Sequence, residues 1–181
     1  MDSDDVFFNL LVLAHYIGPR SSEYAQTKQS ACNYHTYPSG KKVVKAFMAN
    51  DFIFHDEDGS RITEFLQSAR NRARSVTITW HIQKNRKNGQ QIMLGADTKV
   101  PILCLVCNSM KLVALALRLG QPPDLPICIY PNANRQLLYL TGSKVASLLR
   151  NAVLRDHPNT PKRFEEEFDS FASGMGLRVA R

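Results

Sequence analysis

The clearest pattern in the chain is a strict alternation of apolar and polar residues. Four apolar residues alternate with four polar ones: Val76, Ile78, Trp80 and Ile82 with Thr77, Thr79, His81 and Gln83. This period of two is typical of a β-strand with one buried face. Asn88-Gly89, which follows a short basic stretch, favours the tight turn of a hairpin. We therefore predict a β-hairpin over residues 75–94, with Trp80 in the core and His81 facing solvent.

The other strong pattern is helical. Residues Val6–Tyr16 are apolar on nearly every side, which predicts a buried helix that Asp5 caps and Gly18-Pro19 ends. Caps and apolar spacing predict four more helices: over residues 62–73, from Asn108 to Leu119, after Thr141 and after Thr160-Pro161. A short strand is expected at Phe52–Phe54, and the polar residues 26–40 resemble a loop. Together these elements predict an α+β fold, a mainly helical domain with a small antiparallel sheet.

Composition narrows the class of protein. The chain has 181 residues, of which 44% are hydrophobic and 22% charged, as in a single globular domain. The longest apolar stretches, Val6–Ala14 and Val100–Cys107, are shorter than the roughly 18–20 residues that a membrane span needs. The chain begins Met-Asp-Ser-Asp-Asp, whereas an export signal begins with basic residues. We therefore expect no membrane association and an intracellular location, nuclear or cytoplasmic.

The four cysteines predict neither a disulfide scaffold nor a metal site. Cys104 and Cys107 have the spacing of a metal-binding knuckle, but no second pair of ligands follows at finger spacing. Their neighbours are apolar, and in such surroundings cysteine packs as a small hydrophobe. We expect core cysteines in a reducing compartment, with no metal and no other cofactor.

Charge gives the first indication of a partner. The net charge is +7, and the stretch from Arg61 to Lys99 holds eight basic and two acidic residues, a net of +6. A local basic field suits a polyanion, most often nucleic acid. A solvated basic face without a partner is the alternative that charge alone leaves open.

Several motifs follow one another in an informative order. They are Gly18-Pro-Arg20-Ser-Ser-Glu23 after the first helix, the lysine hairpin with Asn88-Gly89-Gln90, Leu103-Cys-Leu-Val106, Tyr139-Leu-Thr141, and Phe171-Ala-Ser173-Gly-Met175-Gly-Leu-Arg178. In this order they resemble the catalytic domain of the tyrosine recombinases, the phage-integrase family, and most closely its eukaryotic, Crypton-like branch. The similarity extends from about residue 5 to residue 181. It implies a protein that breaks and rejoins double-stranded DNA during site-specific recombination or integration.

The resemblance also assigns roles to single residues. A tyrosine hydroxyl of the family attacks a DNA phosphodiester without a metal or a nucleotide. Arg20 and Arg178 would hold the non-bridging oxygens with their guanidinium forks, and Glu23 would orient Arg20. Lys84, with Lys87 as second choice, would protonate the leaving 5′-oxygen. Basic residues on the hairpin and in the preceding helix would bind DNA phosphates: Arg70, Arg72, Arg74, Arg86 and Lys87.

Ordinary interpretations of the same residues stay open. Arg20 and Glu23 are close enough in sequence to form a local ion pair. The basic hairpin tip could simply keep a sheet edge soluble.

Three departures from the family pattern limit the expected activity. The family's His-x-x-Arg box contains Met175, whose thioether cannot exchange a proton as imidazole does. The chain ends at Arg181, before the position of the nucleophilic tyrosine, and it begins at the first catalytic-domain helix. We therefore expect one incomplete catalytic domain, residues 1–181, that cannot complete strand exchange alone. Family members assemble as oligomers on DNA, and this chain by itself is expected to be a monomer.

Two further hypotheses belong to different classes. One is a DNA-binding remnant or regulator without catalysis, which would bind phosphates with little sequence preference. The other is a protein whose basic surface meets an acidic protein partner, which predicts no DNA binding at moderate salt.

Overall fold

The computed structural model describes residues 3–19, 21–65, 67–82 and 88–156. In these residues the chain forms five α-helices, two 3₁₀ turns and eight short strands. The helices are α1 (Ser3–Ile17), α2 (Ser21–Tyr24), α3 (Gln67–Arg72), α4 (Leu105–Arg118) and α5 (Gly142–Asp156). The strands are β1 (Tyr34–Thr36), β2 (Lys42–Val44), β3 (Phe52–His55), β4 (Arg61–Ile62), β5 (Ser75–Trp80), β6 (Gln90–Gly95), β7 (Ile129–Pro131) and β8 (Leu137–Tyr139), and the 3₁₀ turns are Ala49–Asp51 and Pro101–Leu103.

A four-stranded antiparallel sheet in the order β4-β3-β5-β6 lies at the centre. The predicted hairpin is confirmed in its paired part, because Ser75 lies opposite Gly95 and Trp80 opposite Gln90. The predicted strand at Phe52–Phe54 is also confirmed, as β3. Phe54, Val76 and Ile78 are each fully buried, which explains why alternation located β5 so well.

The core lies between this sheet and the packed pair α1 and α4. On α1, Val6, Leu10 and Leu13 are buried at helical spacing. The expectation that this apolar helix is buried holds for most of its length, since Phe7 and Val12 are buried as well, but Phe8 and Tyr16 are exposed. The helix ends as predicted at Gly18, whose amide donates to the carbonyl oxygen of Ala14 over 2.9 Å.

Two small hairpins were not expected from the sequence. Strands β1 and β2 pair within and after the segment that resembled a loop, and β7 and β8 pair where helices alone were expected. Each of these strands has three residues. Three residues are too few to show a period of two against a background of mixed polarity, so pattern analysis misses them.

Two predicted helix boundaries need correction. Helix α4 begins at Leu105, so Asn108 lies inside its first turn rather than at its cap. Its buried side-chain amide still anchors the start of the helix, donating to the carbonyl oxygens of Ile102 and Cys104 over 2.9 and 2.8 Å. The helix expected over residues 62–73 is only α3, because Ile62 pairs in the sheet as part of β4.

The start of α5 is confirmed. The hydroxyl oxygen of Thr141 accepts a hydrogen bond from the amide of Lys144 over 3.2 Å, as an N-cap does. The helix expected after Thr160-Pro161 lies outside the described residues.

These elements make the fold α+β, with small antiparallel sheets, as expected. The finer expectation of a mainly helical domain is not confirmed. In the part of the chain described above, no helix combines the length and the apolar character that crossing a bilayer requires.

Candidate functional site

A cleft of about 320 Å³ lies where the junction of α1 and α2 meets one end of the β5–β6 hairpin. Its lining residues come from both places: Ile17, Gly18 and Glu23 from the junction, and Trp80, Gln90, Gln91 and Ile92 from the hairpin. The two groups are distant in sequence, so only the tertiary fold forms this cleft.

Local conformation places the junction. Gly18 adopts φ +54°, a left-handed conformation that glycine takes at little steric cost, and this lets the chain leave α1 sharply. The short helix α2 then carries Glu23 inward, where its side chain is only 7% exposed. The carbonyl oxygen of Glu23 accepts a hydrogen bond from the amide of Phe47 over 2.7 Å. This bond fixes the carboxylate-bearing turn against the core.

The hairpin side of the cleft is equally constrained. Trp80 packs edge-on against Phe47, with ring centroids 6.0 Å apart. The amide of Gly89, at φ +79°, donates to the carbonyl oxygen of Trp80 over 2.6 Å and so closes the turn end of the hairpin. Trp80 is half-buried, and the expectation of core packing is met by its contact with Phe47 while part of the ring stays accessible to the cleft.

Of the four residues with an expected catalytic role, only Glu23 is described. Arg20 and Lys84 lie outside the described residues, as do Arg86, Lys87 and Arg178. The residues that flank Arg20 and Lys84–Lys87 in sequence are described, and they lie at one place in the fold. Gly18 and Glu23 lie on either side of Arg20, and Trp80 and Gln90 lie on either side of Lys84–Lys87, and all four line the same cleft.

A small hollow adjoins the cleft and shares Glu23 and Trp80 with it. Its other lining includes Lys45, Asp51 and His81. Asp51 is 1% exposed; its Oδ2 accepts a hydrogen bond from the Met48 amide over 2.8 Å, and its Oδ1 forms an ion pair with Nε2 of His81. Two acidic residues, one lysine and one histidine therefore line this hollow.

The ion pair changes the acidity of both partners. Contact with the Asp51 carboxylate raises the pKa of His81 above its usual value, against the opposing effect of partial burial. Burial raises the pKa of Asp51, against the opposing effects of His81 and of the Met48 amide. Loss of the proton from His81 would leave a buried carboxylate without its counter-charge, which is costly. We therefore expect the imidazolium form to persist to higher pH than in a free histidine.

The expectation that His81 faces solvent is met only in part, because 39% of its side chain is exposed while its Nε2 is buried against Asp51. Alternation predicts opposite faces for Trp80 and His81 only while the strand continues, and β5 ends at Trp80. Beyond this end the backbone bends, and both residues line the same hollow. Asp51 was missed altogether, although a carboxylate directly before an apolar strand is the kind of buried charge that needs a partner.

The three described arginines that are predicted to bind DNA lie away from the cleft. Arg70, Arg72 and Arg74 lie in or just after α3, at the Ser75 end of β5. The six extended residues of β5 span the molecule from this end to Trp80, so the distance from the arginines to the cleft is roughly 20 Å. The structure therefore does not bring these arginines together with Glu23.

The three arginines differ in the hydrogen bonds and ion pairs that their side chains form. Arg74 donates from Nη1 to the carbonyl oxygen of Asn71 over 2.9 Å, and its Nε is 3.9 Å from a carboxylate oxygen of Glu57. Arg72 is exposed. Arg70 is half-buried, and its Nε has no hydrogen-bond partner among the described residues.

The cysteines are thiols in the described structure. Cys104 and Cys128 are buried, in agreement with core packing, whereas Cys32 and Cys107 are half-buried. Burial raises the pKa of Cys128 to about 12, so this thiol is unreactive at neutral pH. No group of three or more metal-ligating side chains occurs within the described ranges.

The cleft combines an aromatic surface, two glutamine amides and a buried carboxylate. Such a set can position a planar or phosphate-bearing ligand through stacking and hydrogen bonds, provided that cations reach it from the flanking segments. No family model, curated protein or solved structure matches this chain.

Proposed function

We propose that this protein binds double-stranded DNA, and that the cleft between the α1–α2 junction and the β5–β6 hairpin receives a phosphate of the DNA backbone. Arg20 and Lys84 would supply the cations, and Glu23 would orient the guanidinium of Arg20. The proposed class is a DNA breaking-and-rejoining domain of the tyrosine recombinase type, acting in the nucleus or cytoplasm.

One observation carries this proposal. Two segments more than sixty positions apart in sequence hold the cations that the resemblance selects, and residues on both sides of each segment line one cleft. Two basic positions without a shared role would have no reason to have neighbours that line the same cleft. A buried carboxylate beside an arginine position is also the arrangement that holds a guanidinium fork in one orientation.

The net charge supports a polyanionic ligand. The region from Arg61 to Lys99 carries a net +6, and it includes both the hairpin and the α3 arginines. Phosphate contacts of this kind give affinity that is largely independent of sequence and falls steeply with salt. A long duplex could contact the cleft and the α3 arginines together, because roughly 20 Å corresponds to only several base pairs.

Within this proposal, non-catalytic DNA binding is the second candidate. Met175 favours it, because a thioether replaces the imidazole expected in the His-x-x-Arg box. A residue set without that imidazole would still bind phosphate through Arg20, Lys84 and Arg178.

The test is equilibrium binding of a mixed-sequence DNA duplex, measured by fluorescence anisotropy across a salt series. Arg20→Ala and Lys84→Ala should each weaken binding by about tenfold at low salt, the equivalent of about 1.4 kcal/mol. Each should also make the slope of log affinity against log salt shallower by about 0.9, the contribution of one phosphate contact.

Matched controls remove one exposed positive charge outside the cleft. Arg118→Ala and Lys28→Ala serve this purpose, since both side chains are exposed and neither lines the cleft. They should leave the affinity nearly unchanged. If the folded wild type ignores DNA at every salt concentration, the proposal is wrong and the basic surface serves another partner.

A further inference from the structure

We propose that His81, held by its ion pair with Asp51, is a phosphate-binding residue of this cleft. The inference rests on the DNA-binding function proposed above and adds a residue that the sequence motifs do not assign. It makes the affinity for DNA depend on pH through one histidine.

One ring nitrogen of His81 pairs with Asp51, which leaves the other to bind a ligand. Nε2 of His81 faces the carboxylate of Asp51, and Nδ1 does not take part in this ion pair. Because the Asp51 side chain is only 1% exposed and is also bonded to the Met48 amide, it is a rigid anchor for the ring. The histidine side chain is 39% exposed, so an anion can reach it. In the imidazolium form Nδ1 carries a proton that can be donated to a phosphate oxygen.

The position of the ring links it to the cleft. His81 faces a hollow whose lining includes Glu23 and Trp80, and both of these residues also line the cleft. In sequence His81 directly precedes the segment that leads to Lys84. An imidazolium there would add a third cation to those proposed for the phosphate.

The charged groups around the ring set the sign of the effect. Asp51 favours the protonated ring, and the two other charged residues that line the hollow, Glu23 and Lys45, carry opposite charges. Asp51 is the partner in direct contact, so the balance favours the imidazolium. A bound phosphate adds negative charge and should favour it further, which by linkage means that protonation strengthens binding.

The experiment measures the affinity for a mixed-sequence DNA duplex at low salt from about pH 6 to about pH 9. Wild-type affinity should fall as pH rises through the titration of His81. His81→Gln, whose amide can still donate to Asp51, should bind about tenfold more weakly than wild type near pH 6 and equally near pH 9. His15→Gln, which removes an exposed imidazole on α1, should keep the wild-type pH profile.

A second measurement is independent of variant folding. The imidazole resonances of the wild-type protein are titrated by NMR with and without the duplex, and DNA should shift the His81 midpoint to higher pH. Binding that persists with an unchanged pH profile in His81→Gln, or an unshifted His81 midpoint, overturns this inference and leaves the proposed function intact. Absence of DNA binding by the wild type at every pH overturns both.

Discussion

At the scale of single residues, the protein places a carboxylate in its interior and pairs it with one oppositely charged side chain. Asp51 is buried beneath the end of β5, and His81 lies against it. A buried carboxylate without a partner costs several kcal/mol, and the ion pair offsets part of this cost, as does the hydrogen bond from the Met48 amide. The pair thereby ties the 3₁₀ turn before β3 to the strand that leads into the hairpin.

This pair should make stability depend on pH. The pKa of His81 is raised in the folded state, so its stabilising contribution is present below about pH 6.5 and is lost as pH rises through the raised value. The raised pKa of Asp51 also makes stability fall as pH rises, because for both groups the folded state binds the proton more tightly than the unfolded state does. Since His81 is 39% exposed, we expect a loss of only about 1 kcal/mol.

The measurement is urea unfolding at about pH 6 and about pH 9. Asp51→Asn should have a lower free energy of unfolding than wild type at about pH 6. Its free energy of unfolding should also change less than that of wild type between the two pH values. An equal pH dependence in wild type and Asp51→Asn would show that other groups titrate in this range.

At the scale of elements, caps and turns connect the site to the rest of the fold. The amide of Gln26, three residues after Glu23, donates to the carbonyl oxygen of Leu140 over 2.9 Å. The next residue, Thr141, caps α5. The start of α5 and the α2 segment are therefore held together by backbone hydrogen bonds, and α5 supports the junction side of the cleft.

Loss of the α5 cap should destabilise the protein. Thr141→Ala removes the acceptor for the Lys144 amide at a position that is 5% exposed, so we expect a loss of about 1 kcal/mol. Thr141→Ser keeps the hydroxyl and should lose less stability than Thr141→Ala. Ser147→Ala, at an exposed position within α5, is the control and should change stability little. Thermal unfolding followed by circular dichroism measures all three, and equal midpoints for wild type and Thr141→Ala would contradict the capping role.

At the scale of the whole molecule, the cleft and the α3 arginines lie at opposite ends of the central hairpin. The cleft lies at the Trp80–Gln90 end, and the α3 arginines lie at the Ser75–Gly95 end. A separation of roughly 20 Å makes the two regions independent in folding but allows one DNA duplex to contact both.

Independence of the two regions can be tested with a double variant. Arg20→Ala and Arg72→Ala should each weaken DNA binding, and in the double variant the two fold-losses should multiply, because the sites share no partner. Anisotropy titrations at one salt concentration measure this. A double variant no weaker than the worse single variant would show that the two regions act as a single unit.

Sequence alone determined the elements whose signal is local. The β5–β6 hairpin follows from strict alternation and Asn88-Gly89, the end of α1 from Gly18-Pro19, and the start of α5 from Thr141, because each depends on neighbours within a few residues. The tertiary structure decided what depends on distant contacts. It paired the three-residue strands β1–β2 and β7–β8, and it brought Glu23 and Trp80 to one cleft. It also turned His81 towards Asp51, since alternation has no meaning beyond a strand's end and a buried charge selects its partner in space rather than along the chain.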